Sequence, residues 1–492
     1  MVLLAIAASA RPGFRDDTWW HLASGKWMLD NRAWLREDVF SWTQLGQPWP
    51  RPGLVANVAM AGLFNAGGAP LLTLGVVAVF VLAVVLLLRL TTASPAATLS
   101  FGLLAVLTMA SAATPRPVVL QLPLLALTLT VLEREHRHDT GTPMLWCLPI
   151  LAIAWVNLHG SFVFLFVLIA SFGLGAIIDT YRSRAPTSSR TLEPNQGPRS
   201  AGRLVVVGLL STIAIVVNPF GVQMLVYPLE TIATGLGAAY EIDEWRPVEL
   251  ADPRYWPFVG MLGLSAFAVL RSRGRLRSVD LILLAVFGLL GLTAYRNGPV
   301  FAAIAFPIGA SLLSRRSNVV RSEAIALANR SERAVEASLL LVVAVSVAAI
   351  VWPAFTTAGH DRADTEWFGA HAIVAVAGGH YPQPIWNSYD QGTYLIWHGW
   401  PDVLVSMDSR SDLHGLQPSD GRLAVLGFRE ESDRVREHIA EWNAERDAPA
   451  RFAAEGIQTV LVERASPLVE QLEGAGWRRV EQDERAVVLL PP

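Results

Sequence analysis

Cysteine is almost absent, with one residue, Cys147, in 492. That excludes an internal disulfide framework and a thiolate metal site, and Cys147, set in an apolar run, reads as a small buried hydrophobe. Charge is scarce as well, at 16% of residues with a formal net of −3, so nothing here supports nucleic-acid binding. A phosphate-binding glycine loop, an HExxH zinc motif and a GxSxG nucleophile elbow are all missing, which removes the common soluble-enzyme signatures. No internal repeat is evident, which weighs against a transporter built from duplicated halves. Lysine hardly occurs: the basic residues are nearly all arginine, a usage that fits a GC-rich bacterial genome.

What fills the space is apolar. With 52% hydrophobic residues, most of the chain must lie in lipid. Residues 1–10 would rise only about 15 Å as a helix, half of a hydrocarbon core of about 30 Å. They read as the remnant of a first span or as the end of a longer one, and a cleaved signal peptide lacks its charged leading region. Apolar runs then follow at about 69–90, 96–113, 117–132, 144–158, 160–178, 203–217, 255–270, 279–295, 297–313 and 336–353. The chain therefore reads as an α-helical polytopic membrane protein of about 10–11 spans, although the pair meeting at Gly298 could also be one kinked span. Residues 54–66 suit a short amphipathic helix on the membrane surface.

Orientation follows from arginine, because basic loops stay in the cytoplasm. Loops 179–203 and 271–278 and segment 314–335 carry Arg182, Arg184, Arg190, Arg199, Arg203, Arg271, Arg273, Arg275, Arg277, Arg315, Arg316, Arg321, Arg330 and Arg333. With the span count above, all three fall on one side. The acid-rich segment 218–254 falls on the other, with residues 11–68 and everything after about 355. The composition after 356 turns water-soluble. IWNSYDQGTYLIW, DVLVSMD, TVLVER and RAVVLL read as strands, and VREHIAEWNAE and PLVEQLEGAG as helices, making a small extracytoplasmic α/β domain. The expected division is 1–68 (partial first span, external acidic loop and interfacial helix), 69–355 (transmembrane domain) and 356–492.

The most unusual stretch is RDDTWWHLASGKW at 15–27. Asp16 and Asp17 are costly near hydrocarbon, whereas Trp19 and Trp20 read as aromatic-belt anchors, so the stretch suits a polar site at a membrane surface. Paired carboxylates can bind a divalent cation through oxygen, or one can take a proton while its neighbour is held by a positive group. The external face also collects His21, Arg116, Gln121, Asn157, His159, Asn218, Glu244, Arg246, Arg296 and Asn297. Arg116 and Arg296 could be simple boundary residues, and His159 in NLHGS could merely cap a helix. As a site, Asp16, Asp17 and His21 are the catalytic candidates, with Asp16 and Asp17 also the candidate metal ligands. Arg116, His159, Glu244, Arg296 and Asn297 are the substrate-binding candidates, arginine because its fork meets phosphate oxygens bidentately.

DTWWHLASGKWMLD, EDVFSWTQLGQPW, WVNLHGSF, NPFGVQMLVYPL, the EW pair at 244–245, YRNGP, NSYDQGTYLIW and DSR at 408–410 together resemble a group of bacterial membrane proteins assigned to the GT-C superfamily. The resemblance spans nearly the whole chain. It implies an integral-membrane glycosyltransferase that moves a sugar from a polyprenyl phosphate to a cell-envelope glycan, lipid or protein, with Asp17 matching the superfamily's acidic residue of the first external loop. A divalent metal is compatible with that chemistry but not demanded. Two departures stand out: the first span is short, and the soluble domain is unlike the larger ones of oligosaccharyltransferases. The rival expectations are a non-catalytic binder or transporter of lipid-linked glycans and a structural partner in envelope assembly.

Overall fold

A computed structural model describes residues 1–14, 17–137, 143–183, 198–229, 243–272, 276–314, 344–414 and 434–492. Two compact units emerge. The first comprises Met1–Arg11, Thr73–Leu225 and Ala238–Trp352, and the second Pro12–Leu72, Val226–Gly237 and Pro353–Pro492.

The chain is an α-helical membrane protein. Among the described residues, five helices are long and apolar enough to cross a bilayer: Leu54–Leu90, Pro95–Ala112, Pro117–His136, Gly160–Arg182 and Tyr295–Ser314. Shorter apolar helices occupy Pro143–Leu158, Ala201–Ala214, Ser278–Thr293 and Ala344–Phe355. The run expected at 255–270 forms the helix Trp256–Arg271, and that expected at 336–353 is described only from 344. The long run Leu54–Leu90 is broken where Gly67 and Gly68 leave helical geometry. Gly68 takes φ +65°, which a side chain would strain, and Pro70 then sits in the first turn of the resumed helix, where no backbone donor is needed.

Around Gly298 the chain forms two helices, not one kinked span. Ser278–Thr293 and Gly298–Ser314 are joined by the turn Tyr295–Asn297, and a Cβ on Gly291 would lie 3.7 Å from the Cα of Gly298. The start of this hairpin is tied down by charge. Arg277 binds Glu133 at 2.8 Å and also pairs with Asp280. Cys147, expected to be buried, is exposed: an outward apolar face needs no protein cover when its surroundings are lipid.

The second unit carries a four-stranded sheet: β1 (Ile385–Asn387), β2 (Thr459–Glu463), β3 (Arg478–Gln482) and β4 (Ala486–Leu490), in the order β1-β2-β4-β3. β1 runs parallel to β2, while β4 is antiparallel to both of its neighbours. Trp386, Phe452, Val460, Val462, Leu472 and Val487 belong to its core, and Trp42 from the early loop packs on them. Trp42 also donates its indole N–H to Ile385 O at 2.9 Å, and Trp400 donates to Val39 O at 2.9 Å.

Two strand expectations are corrected. Only IWN of IWNSYDQGTYLIW is extended; Tyr389–Gly399 is a helix. Ser388 stands at its N-cap and Gln391 three residues on, with their side chains joined at 3.0 Å, a helix-start pattern that overrides the β-like composition. DVLVSMD contributes no strand to the sheet, only an isolated bridge from Val405 to Ser41. Trp19 and Trp20, expected at the lipid boundary, are buried inside this unit. Trp19 packs among Phe14, Phe64, Tyr394 and Trp397.

Candidate functional site

Asp17 stands immediately before the helix Thr18–Asn31, at its N-cap, yet its side chain does not cap that helix. Oδ1 instead accepts from the indole N–H of Trp20 at 3.1 Å and, very closely, from the hydroxyl of Ser409. Trp20 can hold its place because it is fully buried against Trp49 and lies under the guanidinium of Arg51, 4.7 Å from the ring centre. Two donors on one oxygen fix the orientation of the carboxylate, and they leave that oxygen poorly placed for a cation.

Ser409 is fixed from both sides. Asp408 and Arg410 are completely buried and form a two-pronged pair, with Nε to Oδ1 at 2.8 Å and Nη2 to Oδ2 at 2.7 Å. Arg410 also reaches Asp38 at 2.6 Å, and His414 lies 3.2 Å from Asp408. Burial alone would raise the Asp408 carboxyl, but Arg410 and His414 hold it well below the usual carboxylate range. The Ser409 carbonyl accepts from the Tyr389 hydroxyl at 3.1 Å.

His21 is buried, and its Nδ1 meets Oδ1 of Asn57 at 2.7 Å, so the ring is oriented by the helix that begins at Leu54. Further back, the helix Thr357–Phe368 grips the chain just ahead of the acidic pair. Nδ1 of His360 accepts from Gly13 N and Oδ1 of Asp364 from Phe14 N, each at 2.9 Å. Burial pushes the Asp364 carboxyl up to about 7; the Phe14 N–H opposes the shift and Asp361 adds to it. Burial also lowers His360.

The remaining candidates belong to the first unit. Arg116 pairs with Glu244 at 2.8 Å, so its charge is already met. Arg296 lies over the Trp245 ring at 4.1 Å and has no carboxylate partner among the described residues. Asn297, on the same turn, donates to Leu290 O at 3.2 Å, and the Tyr295 N–H donates to Arg246 O at 3.1 Å. His159 accepts from the Ser161 N–H at 3.1 Å, capping its own turn. The first unit thus gathers Arg116, Glu244, Arg296 and Asn297 around the segments 244–246 and 295–297, while Asp17 and His21 are placed in the second. Asp16 lies outside the described residues, so the paired-carboxylate metal site is not visible as a pair. Among the described residues no group of three His, Cys, Asp or Glu could hold a metal ion.

Sequence reasoning passed over Ser409, Asp38, Asn57, His360 and Asp364 as site residues. The EDVFSW and DSR motifs held two of them, Asp38 and Ser409, but nothing local to either motif says that Asp38 and Arg410 pair. His360 and Asp364 are four residues apart on one helix face, a spacing that could have flagged them.

No protein-family model matches the chain, and no curated protein matches it. Solved structures do. An archaeal oligosaccharyltransferase, AglB from Archaeoglobus fulgidus, in complex with an inhibitory peptide and a dolichol-phosphate, is similar over 94% of this chain and 69% of its own, with 14% identity and a TM-score of 0.52. The Archaeoglobus fulgidus oligosaccharyltransferase in its apo form covers the same shares at 13% identity and a TM-score of 0.50. ArnT from Cupriavidus metallidurans bound to undecaprenyl phosphate covers 99% and 96%, with 14% identity and a TM-score of 0.46. The fold is GT-C-like.

Proposed function

We propose that the chain is a membrane glycosyltransferase that moves a sugar from a polyprenyl phosphate to a hydroxyl of a cell-envelope acceptor on the external face. The observation that carries this reading is Asp17: a carboxylate held through one oxygen by Ser409 and Trp20, directly before a helix, in a chain with the fold of an oligosaccharyltransferase that has been seen with a dolichol-phosphate. In the reaction the bond between the sugar carbon and the phosphate oxygen breaks, the acceptor bonds to that carbon, and the acceptor proton passes to Asp17. Phosphate leaves readily, so the protein need only neutralise its charge and activate the acceptor. His21, fixed on Asn57, is the companion candidate beside Asp17. Arg296, stacked on Trp245 and unpaired with any carboxylate among the described residues, suits the donor phosphate better than Arg116 does. In this reading the arginine-rich loops lie in the cytoplasm, and residues 11–68 and those after about 355 lie outside it.

The test is turnover by purified protein with labelled polyprenyl-phosphate sugars, read as released polyprenyl phosphate. Asp17→Asn keeps size and most hydrogen bonding but loses the base, so the rate should fall by about 10²-fold or more. Full activity in that variant would remove Asp17 as the base. A wild type inactive with every such donor would favour the binding, transport or structural readings instead.

A further inference from the structure

We infer that Ser409 is a positioning residue for Asp17, so that the part of the chain carrying the sheet supplies a piece of the reaction centre; this rests on the reading of Asp17 as base. Ser409 and Asp17 are separated by 392 residues in sequence, yet the serine hydroxyl donates directly to Oδ1. A base must present a lone pair to the acceptor at a fixed angle, and a carboxylate next to its own helix start can rotate about χ2 unless something fixes it. Trp20, three residues on, supplies one donor to Oδ1, and Ser409 supplies the other. Two donors converging on one oxygen set the plane of the group and direct its other oxygen.

The surroundings of Ser409 are those of a rigid mount. Both chain neighbours, Asp408 and Arg410, are fully buried and paired through two hydrogen bonds. Arg410 extends to Asp38, which is itself fully buried and accepts from Ser41 N at 3.0 Å. Gly392 packs so closely on this segment that a Cβ there would stand 2.0 Å from Met407 O. Ser409 itself is only partly buried, and the Tyr389 hydroxyl binds its carbonyl. A hydroxyl placed this firmly, and turned to a carboxylate from the other end of the chain, fits orientation of that carboxylate better than filling of space. Orienting a reacting group is worth much more in rate than in stability.

The experiment compares Ser409→Ala and Ser409→Thr with wild type and Asp17→Asn in the turnover assay on the full chain. Loss of the hydroxyl should lower kcat about tenfold or more with KM for the donor nearly unchanged. Threonine, which keeps the hydroxyl, should recover most of kcat, and the melting temperature of the alanine variant should stay within about 2 °C of wild type by our own cutoff. Equal kcat in wild type and Ser409→Ala, with Asp17→Asn inactive, would overturn this proposal and leave the reading of Asp17 standing. A fall in kcat matched by a large fall in melting temperature and not recovered by threonine would show a structural role and also overturn it. Absence of turnover by the wild type would overturn both.

Discussion

Arg116 and Arg296 are the same residue type at the ends of apolar runs, yet their settings differ. Arg116 already faces Glu244, whereas Arg296 rests on an indole. If a phosphate is bound by arginine here, Arg296→Ala should weaken donor binding by about 1.5–3 kcal/mol, the worth of a charge-assisted bond. Arg116→Ala should cost less in binding, because the charge removed is already met by Glu244. Titration of the purified protein with a fluorescent polyprenyl phosphate separates the two, and a larger loss for Arg116→Ala would reverse the assignment. Asp17, His21, Arg296 and Glu244 could be nominated from sequence because rare polar groups beside lipid are conspicuous. Ser409 could not. Its significance lies wholly in a partner 392 residues away, and serine in a turn carries no compositional signal.

At the scale of elements, the helix Thr357–Phe368 behaves as a clamp with a titratable jaw. The Asp364 carboxyl is raised to about 7 in the folded chain and near 3.9 when unfolded, so the native state holds more protons between these values. Stability from this group is therefore full below about pH 4 and declines as pH rises towards 7. His360, lowered by burial, works in the opposite sense, and Asp361 and Tyr394 also face this region. Asp364→Asn isolates the carboxyl, because it keeps an acceptor for Phe14 N. The difference in melting temperature, variant minus wild type, should grow more positive from pH 5 to pH 8; a flat difference would mean that Asp364 does not titrate there. Elements with strong periodicity were legible: Pro467–Gly474 and the strands at 459–463 and 486–490 fall where the patterns placed them. The helix Tyr389–Gly399 was not, because its tyrosines, threonine and tryptophan favour strands and only Ser388 and Gln391 marked its start.

For the whole molecule, the arginine distribution makes a topological prediction. With Cys147 replaced by serine to remove the exposed native thiol, a cysteine at Glu484 should react with an impermeant reagent in intact cells and one at Ser188 should not. The opposite pattern would place the sheet, and with it Asp17, in the cytoplasm. The buried pair of Asp38 and Arg410 also bears on how the chain is made, since 372 residues separate its members. At roughly 5–20 residues per second, the ribosome delivers the arginine about 20–70 s after the aspartate. For that interval the apolar helices between them can enter the bilayer while the loop around Asp38 waits for its cation, so that loop is completed only after the membrane-spanning part of the chain has been made. A nascent chain released before Arg410 would leave Asp38 without the guanidinium that neutralises it, giving quality-control proteases a defect at the front of the molecule whose cause lies at the back.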